Sequence, residues 1–212
     1  MRLDHLSYAA GPEGLASCVQ RIGSALGASF RDGGLHPGFG TRNFVLPLQH
    51  GCYLEVVSTL DHPAVDASPF GRAVRARTEA GGGWLGWAVR VDDLAPIEAR
   101  LGRTAVDGHR RRPDGTDLRW KQIGVNDLAV DPQRPFFVHW ISGVEHPSRN
   151  AEPISLRRLT IAGDESTVDD YLGVATRQPL DGVEVEWSEA DEDETGVLVA
   201  GFDTPHGPVS ID

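Results

Sequence analysis

Three stretches of this chain repeat one pattern of apolar and polar positions. Residues 3–27 (LDHLSYAAGPEGLASCVQRIGSALG) open on a short apolar-rich run, turn at Gly-Pro, and continue with apolar residues at helical spacing to a closing Leu-Gly. Residues 84–102 (WLGWAVRVDDLAPIEARLG) and 155–173 (SLRRLTIAGDESTVDDYLG) have the same shape. Such runs predict a strand followed by an amphipathic helix. The glycine after the last apolar residue is a helix stop, because glycine takes the left-handed conformation at little cost. Asp92 or Asp93 is placed to cap the second helix, and acidic residues again open the third.

Short strand-like stretches with turn signals follow each unit. After the first come ASFRDGG, TRNFVLPLQHG and CYLEVVST. After the second come RRRPDGTDLRWKQIGV, with a Pro-Asp-Gly hairpin turn, and PFFVHWISG. VEVEWSEA, GVLVAGFDT and GPVSID follow the third. The repeated order of strand, helix and two or three strands predicts an α+β fold, not an alternating parallel one. Two such βαβββ modules, residues 3–60 and 84–142, would form a curved, mainly antiparallel sheet cupped around a pocket, with helices on its convex side. Residues 1–147 are therefore expected to form a two-module core, and residues 148–212 an appended half-module. Segment 61–83, with a short helix and a Gly run, and Pro-rich segment 143–153 read as connections. The acidic cluster at 184–194 reads as a solvated hairpin turn, since it lacks the glycine and spacing of a calcium loop.

Composition narrows the partners. A chain of 212 residues that is 40% hydrophobic can bury a sizeable core, and a formal net charge of -11 disfavours nucleic acid and anionic membrane. The only cysteines, Cys18 and Cys52, are too few for a disulfide scaffold and fit buried free thiols in a reducing cytoplasm. The first residues lead into no long apolar stretch, and no run approaches the roughly 20 residues of a membrane helix. A cytoplasmic protein with a small-molecule ligand is expected, and a homodimer is compatible with this reading. The GxxxxGK[ST] phosphate loop and the GxSxG elbow are both absent, so neither a nucleotide cofactor nor a serine-hydrolase arrangement is expected.

One residue stands out chemically. Glu55 lies in the apolar run Tyr53-Leu54-Glu55-Val56-Val57, where a carboxylate is costly unless paired, hydrogen-bonded or metal-bound. Four segments, LDHLSYAA, GLHPGFGTRNFVLPL, CYLEVVS, and GWAVRVDDL with PFFVHWISGVEHP, together resemble the glyoxalase-like members of the vicinal oxygen chelate superfamily. That resemblance implies paired βαβββ modules and, in metal-dependent members, a His opening the first strand of a module and a Glu in its last. It carries His5 and Glu55 onto those positions. In the second module the strand-start position falls near Gly86 or Trp87, where no His stands, and the last-strand position falls on His139.

Strand alternation lends partial support. Leu3, His5 and Ser7 share one face, Tyr53, Glu55 and Val57 another, and Phe137, His139 and Ile141 a third. His5, Glu55 and His139 would form a ligand set for zinc, iron(II), manganese or nickel, with Glu55 as the catalytic group. The same residues could instead line a metal-free polar pocket. Thr41, Arg42 and Asn43, with His36 beside them, offer donors near the pocket mouth, and Asn43 shares its face with Thr41. Trp87, Trp120 and Trp140 are candidate aromatic walls. His50, His62, His109, His146 and His206 fall in turns or loops and read as solvated. The expected function is a metal-dependent isomerase, lyase or dioxygenase acting on a small oxygen-bearing substrate; the alternative is a metal-free binding or sequestering protein of the same fold.

Overall fold

Each of the three repeated stretches folds as its apolar spacing requires. The computed structural model describes residues 1–141, 143, 145–190 and 195–212; the end of the acidic cluster, 191–194, lies outside the described residues. The chain runs β1 (Arg2–Ala9), α1 (Leu15–Leu26), β2 (Arg31–His36), β3 (Thr41–Pro47), β4 (Tyr53–Thr59), α2 (Ala64–Ala67), α3 (Pro69–Glu79), β5 (Gly83–Arg90) and α4 (Ala95–Leu101). It continues through β6 (Val106–Arg111), β7 (Asp117–Ile123), β8 (Phe136–Trp140), β9 (Ser155–Ala162), α5 (Glu165–Leu172), β10 (Glu184–Ser188), β11 (Gly196–Thr204) and β12 (Gly207–Ile211). All three Leu-Gly stops end helices in the left-handed region, with Gly27 at φ 68°, Gly102 at φ 62° and Gly173 at φ 72°. Cys18, Ile22 and Leu26, one helical turn apart, form the buried stripe of α1. Asp164 accepts from Ser166 N and Thr167 N at the start of α5, and Asp93 accepts from Ala95 N before α4.

The main sheet is closed, where an open cup was expected. Its order is β1-β4-β3-β2-β6-β7-β8-β5, with β5 pairing back onto β1. β1–β4 and β5–β8 are parallel, and the other neighbours are antiparallel. Closure leaves no exposed edge. The β2–β6 seam rests on a single described pairing, Leu35 with Arg111. A bulge in β1 interrupts alternation: Leu3 pairs with Val89 and His5 with Ala88, which leaves Asp4 as the extra residue.

α3 fills part of the interior, its Phe70, Ala73 and Val74 packing with Val57, Ala88 and Val138. Outside the barrel, α1 and the second sheet, ordered β10-β9-β11-β12, share one apolar core with it; Leu159, Ile161 and Phe202 belong to the same buried cluster as Leu6, Ile22 and Phe137. Both cysteines are free and buried. Among the described residues no helix is long and apolar enough to cross a membrane.

Candidate functional site

Glu55 faces the barrel interior, and its charge is met by hydrogen bonds. Its Oε1 accepts from Ser7 Oγ at 2.6 Å, and its Oε2 from Asn43 Nδ2 at 2.6 Å. The parallel pairing of β1 with β4 sets Ser7 beside Glu55, and the antiparallel pairing of β3 with β4 brings Asn43 alongside. His5 Nε2 lies 3.8 Å from Glu55 Oε1, and its ring stacks on Tyr53 with centroids 4.7 Å apart. Burial pushes the Glu55 carboxyl up. The opposing pull of the neighbouring imidazoles and the Ser7 and Asn43 bonds carries it below its ordinary value. His36 is pushed down to about 3 by burial and by the Arg110 guanidinium, and its Nδ1 is bonded to Thr41 Oγ1 at 2.9 Å. Near neutral pH His36 is therefore uncharged, and the Glu55 charge is met by the Ser7 and Asn43 bonds.

The bulge in β1 gives this site a second buried carboxylate. Asp4 Oδ2 is bonded to His5 Nδ1 at 2.8 Å, while Asp4 Oδ1 is 2.9 Å from His146 Nε2 and accepts from Trp140 Nε1 at 3.1 Å. Asp4 is fully buried, and burial raises its pKa, but the His146 and His5 bonds outweigh that and hold it well below the usual carboxylate range. His5 thus lies between two carboxylates, with Nδ1 fixed on Asp4 and Nε2 turned to Glu55.

The surrounding pocket is walled by His5, Glu55, Phe70, Trp120, Phe136 and Trp140. Only about 30 Å³ of it can take the centre of a water molecule, which makes it a thin slot. Trp120 lies across Gly108, where a Cβ would come within 2.4 Å of the indole.

The other residues singled out in the sequence divide by face. Thr41 and Asn43 point inward and are fully buried. Arg42, their neighbour in β3, points away, pairs with Asp32 and lies over the Phe44 ring. Trp87 is also outside the pocket: it is packed in the core against the second sheet and donates to Gln133 O at 2.9 Å. His139 is a correction as well. The pocket-facing residues of β8 are Phe136, Val138 and Trp140, so His139 lies on the opposite face, where Nδ1 is bonded to Val91 O at 3.2 Å. His146, read as solvated, is half-buried against Asp4. Arg110 and Gln122 also line the pocket, and neither stood out in the sequence. Arg110 sits in the run HRRR and reads as surface charge.

The donor set does not fit the expected metal centre. His139 is on the opposite face, which leaves His5 and Glu55 alone of the expected three ligands at the pocket. Among the described residues no group of three or more His, Cys, Asp or Glu side chains is placed to hold a metal ion. Gly81, Gly83 and Gly86 have the GxGxxG spacing, yet they lead from a turn into strand β5, not from a strand into a helix, and form no phosphate cradle.

The closed sheet and the pocket inside it have the form of a glyoxalase-like fold. The glyoxalase-like domain family matches the chain over residues 3–174, and the chain belongs to that family. The structure of a hypothetical protein from Staphylococcus aureus superposes with a TM-score of 0.60 at 12% identity, covering 99% of this chain and 84% of that one. Methylmalonyl-CoA epimerase from Mycobacterium tuberculosis gives a TM-score of 0.43 at 17% identity over 66% of this chain and 86% of that one. A single-residue variant of the Streptomyces coelicolor methylmalonyl-CoA epimerase, in complex with 2-nitronate-propionyl-CoA, gives 0.44 at 16% over 68% and 99%. At 12% identity the likeness to the Staphylococcus aureus protein is one of fold. No curated protein sequence matches the chain.

Proposed function

We propose that the barrel pocket binds a small oxygen-bearing molecule without a metal held by His5, Glu55 and His139. Residues 3–60 and 84–142 are taken as the two βαβββ modules that build it, with 148–212 buttressing them. In that correspondence the pairs His5–Tyr53 and Ala88–Phe136 are equivalent, so the counterparts of His5 and Glu55 are Ala88 and Val138. The second module then offers no donor at either position. The single observation that carries this reading is the Glu55 carboxylate, held by hydrogen bonds from Ser7 and Asn43 inside an aromatic-walled slot. Asn43, Trp120 and Trp140 are assigned to the ligand site, and Thr41 to holding His36.

A second reading, an enzyme, is favoured by the placement of His5. His5 stands between the two carboxylates, its Nδ1 bonded to Asp4 and its Nε2 3.8 Å from Glu55, where a proton-carrying group would serve. That suits proton transfer next to a carbonyl, the chemistry of an isomerase or lyase. Glu55 itself, with its lowered pKa, is a poor base. The test is isothermal titration of chelator-stripped protein with zinc, manganese, nickel and iron(II) at about pH 8, where imidazoles are neutral and metal binding would be strongest. No one-to-one binding is expected. Tight binding lost in both His5→Ala and Glu55→Gln would overturn the metal-free reading.

A further inference from the structure

The pocket contains two buried donors that the protein itself leaves without partners. Arg110, on β6, is 3% exposed, and Gln122, on β7, is 2% exposed. Arg110 Nη1 donates to Asn43 Oδ1 at 3.2 Å, and its Nε is buried with no partner. No carboxylate lies within ion-pair distance of Arg110 among the described residues. Asn43 instead stands between it and Glu55, donating to the one and accepting from the other. The guanidinium stays charged in any protein environment, so it is a buried cation that feels the Glu55 and Asp4 carboxylates only at a distance, with no direct ion pair.

Gln122 tells a matching story. Trp120 Nε1 is a donor only, and it lies 2.7 Å from Gln122 Oε1. The amide oxygen is thereby fixed toward Trp120, and the amide nitrogen, Nε2, is left as a buried donor with no partner. In the β6–β7 ladder Arg110 pairs with Leu118, two residues before Trp120, and Gln122 lies two residues after it. Arg110 and Gln122 therefore lie on the same face of the ladder as Trp120, on either side of it, with backbone positions about 6–7 Å away along the strand direction.

We propose that the ligand is a flat anion: a planar apolar body on Trp120, a carboxylate on the Arg110 Nε edge, and a second acceptor such as a carbonyl at Gln122. A carboxylate matches the planar fork of a guanidinium and supplies the direct partner that Arg110 lacks. Leaving either donor bare in a filled pocket would be costly, so a ligand lacking the matching acceptors is rejected. This inference rests on the reading of the pocket as the ligand site.

The experiment uses benzoate, its neutral counterpart benzamide, and 4-acetylbenzoate, each titrated into the full chain with binding read from the tryptophan indole 15N signals. Benzoate is expected to bind at least tenfold more tightly than benzamide, and 4-acetylbenzoate more tightly still. Arg110→Lys should collapse the preference for benzoate, and Gln122→Met the added gain from the acetyl group. The wild-type comparison stands even if a variant fails to fold. Equal binding of benzoate and benzamide, with Trp120 and Trp140 perturbed, would overturn the anion assignment and leave the pocket reading intact. Failure of all three compounds to perturb Trp120 and Trp140 would overturn both.

Discussion

Glycine 33 shows how much of the site depends on a missing atom. A Cβ there would come within 2.1 Å of Asn43 Oδ1 and 3.1 Å of Arg110 Nη1, so only glycine leaves room for the bond that holds Arg110 away from Glu55. Gly33→Ala is expected to destabilise the protein by about 1–3 kcal/mol through overpacking and a broken buried hydrogen bond. Gly38→Ala, where a Cβ meets nothing within 4 Å, is the control and should be near neutral in the same urea titration. His36 sets the pH response. Its ordinary value is 6.5, and in the fold it is about 3. Between those values the unfolded chain takes up a proton that the folded chain refuses, so stability falls as pH drops below 6.5, by roughly 1.4 kcal/mol per pH unit at most. Glu55, whose pKa is also lowered, adds its loss only below its ordinary 4.5. Urea midpoints from pH 7 to 4.8 should decline, and His36→Asn should flatten that slope. It should not abolish it, because burial lowers His146 as well. An unchanged slope in the variant would refute the assignment to His36.

At the scale of elements, helices were more legible than strand faces. The Leu-Gly endings identify three helix stops because a left-handed residue is needed there and glycine supplies it. They are not equivalent in cost. At Gly102 a Cβ meets nothing within 4 Å, whereas at Gly173 it would meet Arg100 Nε at 2.9 Å. Arg100, from α4, donates to Asp170 O and Leu172 O and so caps the end of α5. Gly102→Ala should cost about 1–2 kcal/mol from backbone strain alone, and Gly173→Ala more, since it also displaces Arg100. Equal losses in thermal melts would contradict the capping role. The strands were harder to read for a definite reason. In FFVHW both faces carry large apolar residues, so alternation shows that His139 opposes Val138 but not which of them faces inward. In β1 the bulge at Asp4 breaks the period of two, and no pattern in LDHL announces it.

Across the whole molecule, the repeated grammar was enough to show an α+β chain with a strand-rich third unit. The closure of eight strands was not legible, because it depends on the long-range β2–β6 seam. The site was legible where one residue broke its surroundings, as Glu55 does, and hidden where charge looked ordinary, as in the arginine run around Arg110. Closure is what makes the interior a slot and what forces Glu55, Ser7 and Asn43 to satisfy one another. The most direct test is a 15N spectrum of the tryptophan indoles during titration with 4-acetylbenzoate in excess EDTA. Trp120 and Trp140 line the slot, whereas Trp84 and Trp87 donate to Ile211 O and Gln133 O within the core. The account predicts that the Trp120 and Trp140 signals move, those of Trp84 and Trp87 stay, and EDTA makes no difference. Movement that vanishes when EDTA is added, or that is confined to Trp84 and Trp87, would contradict it.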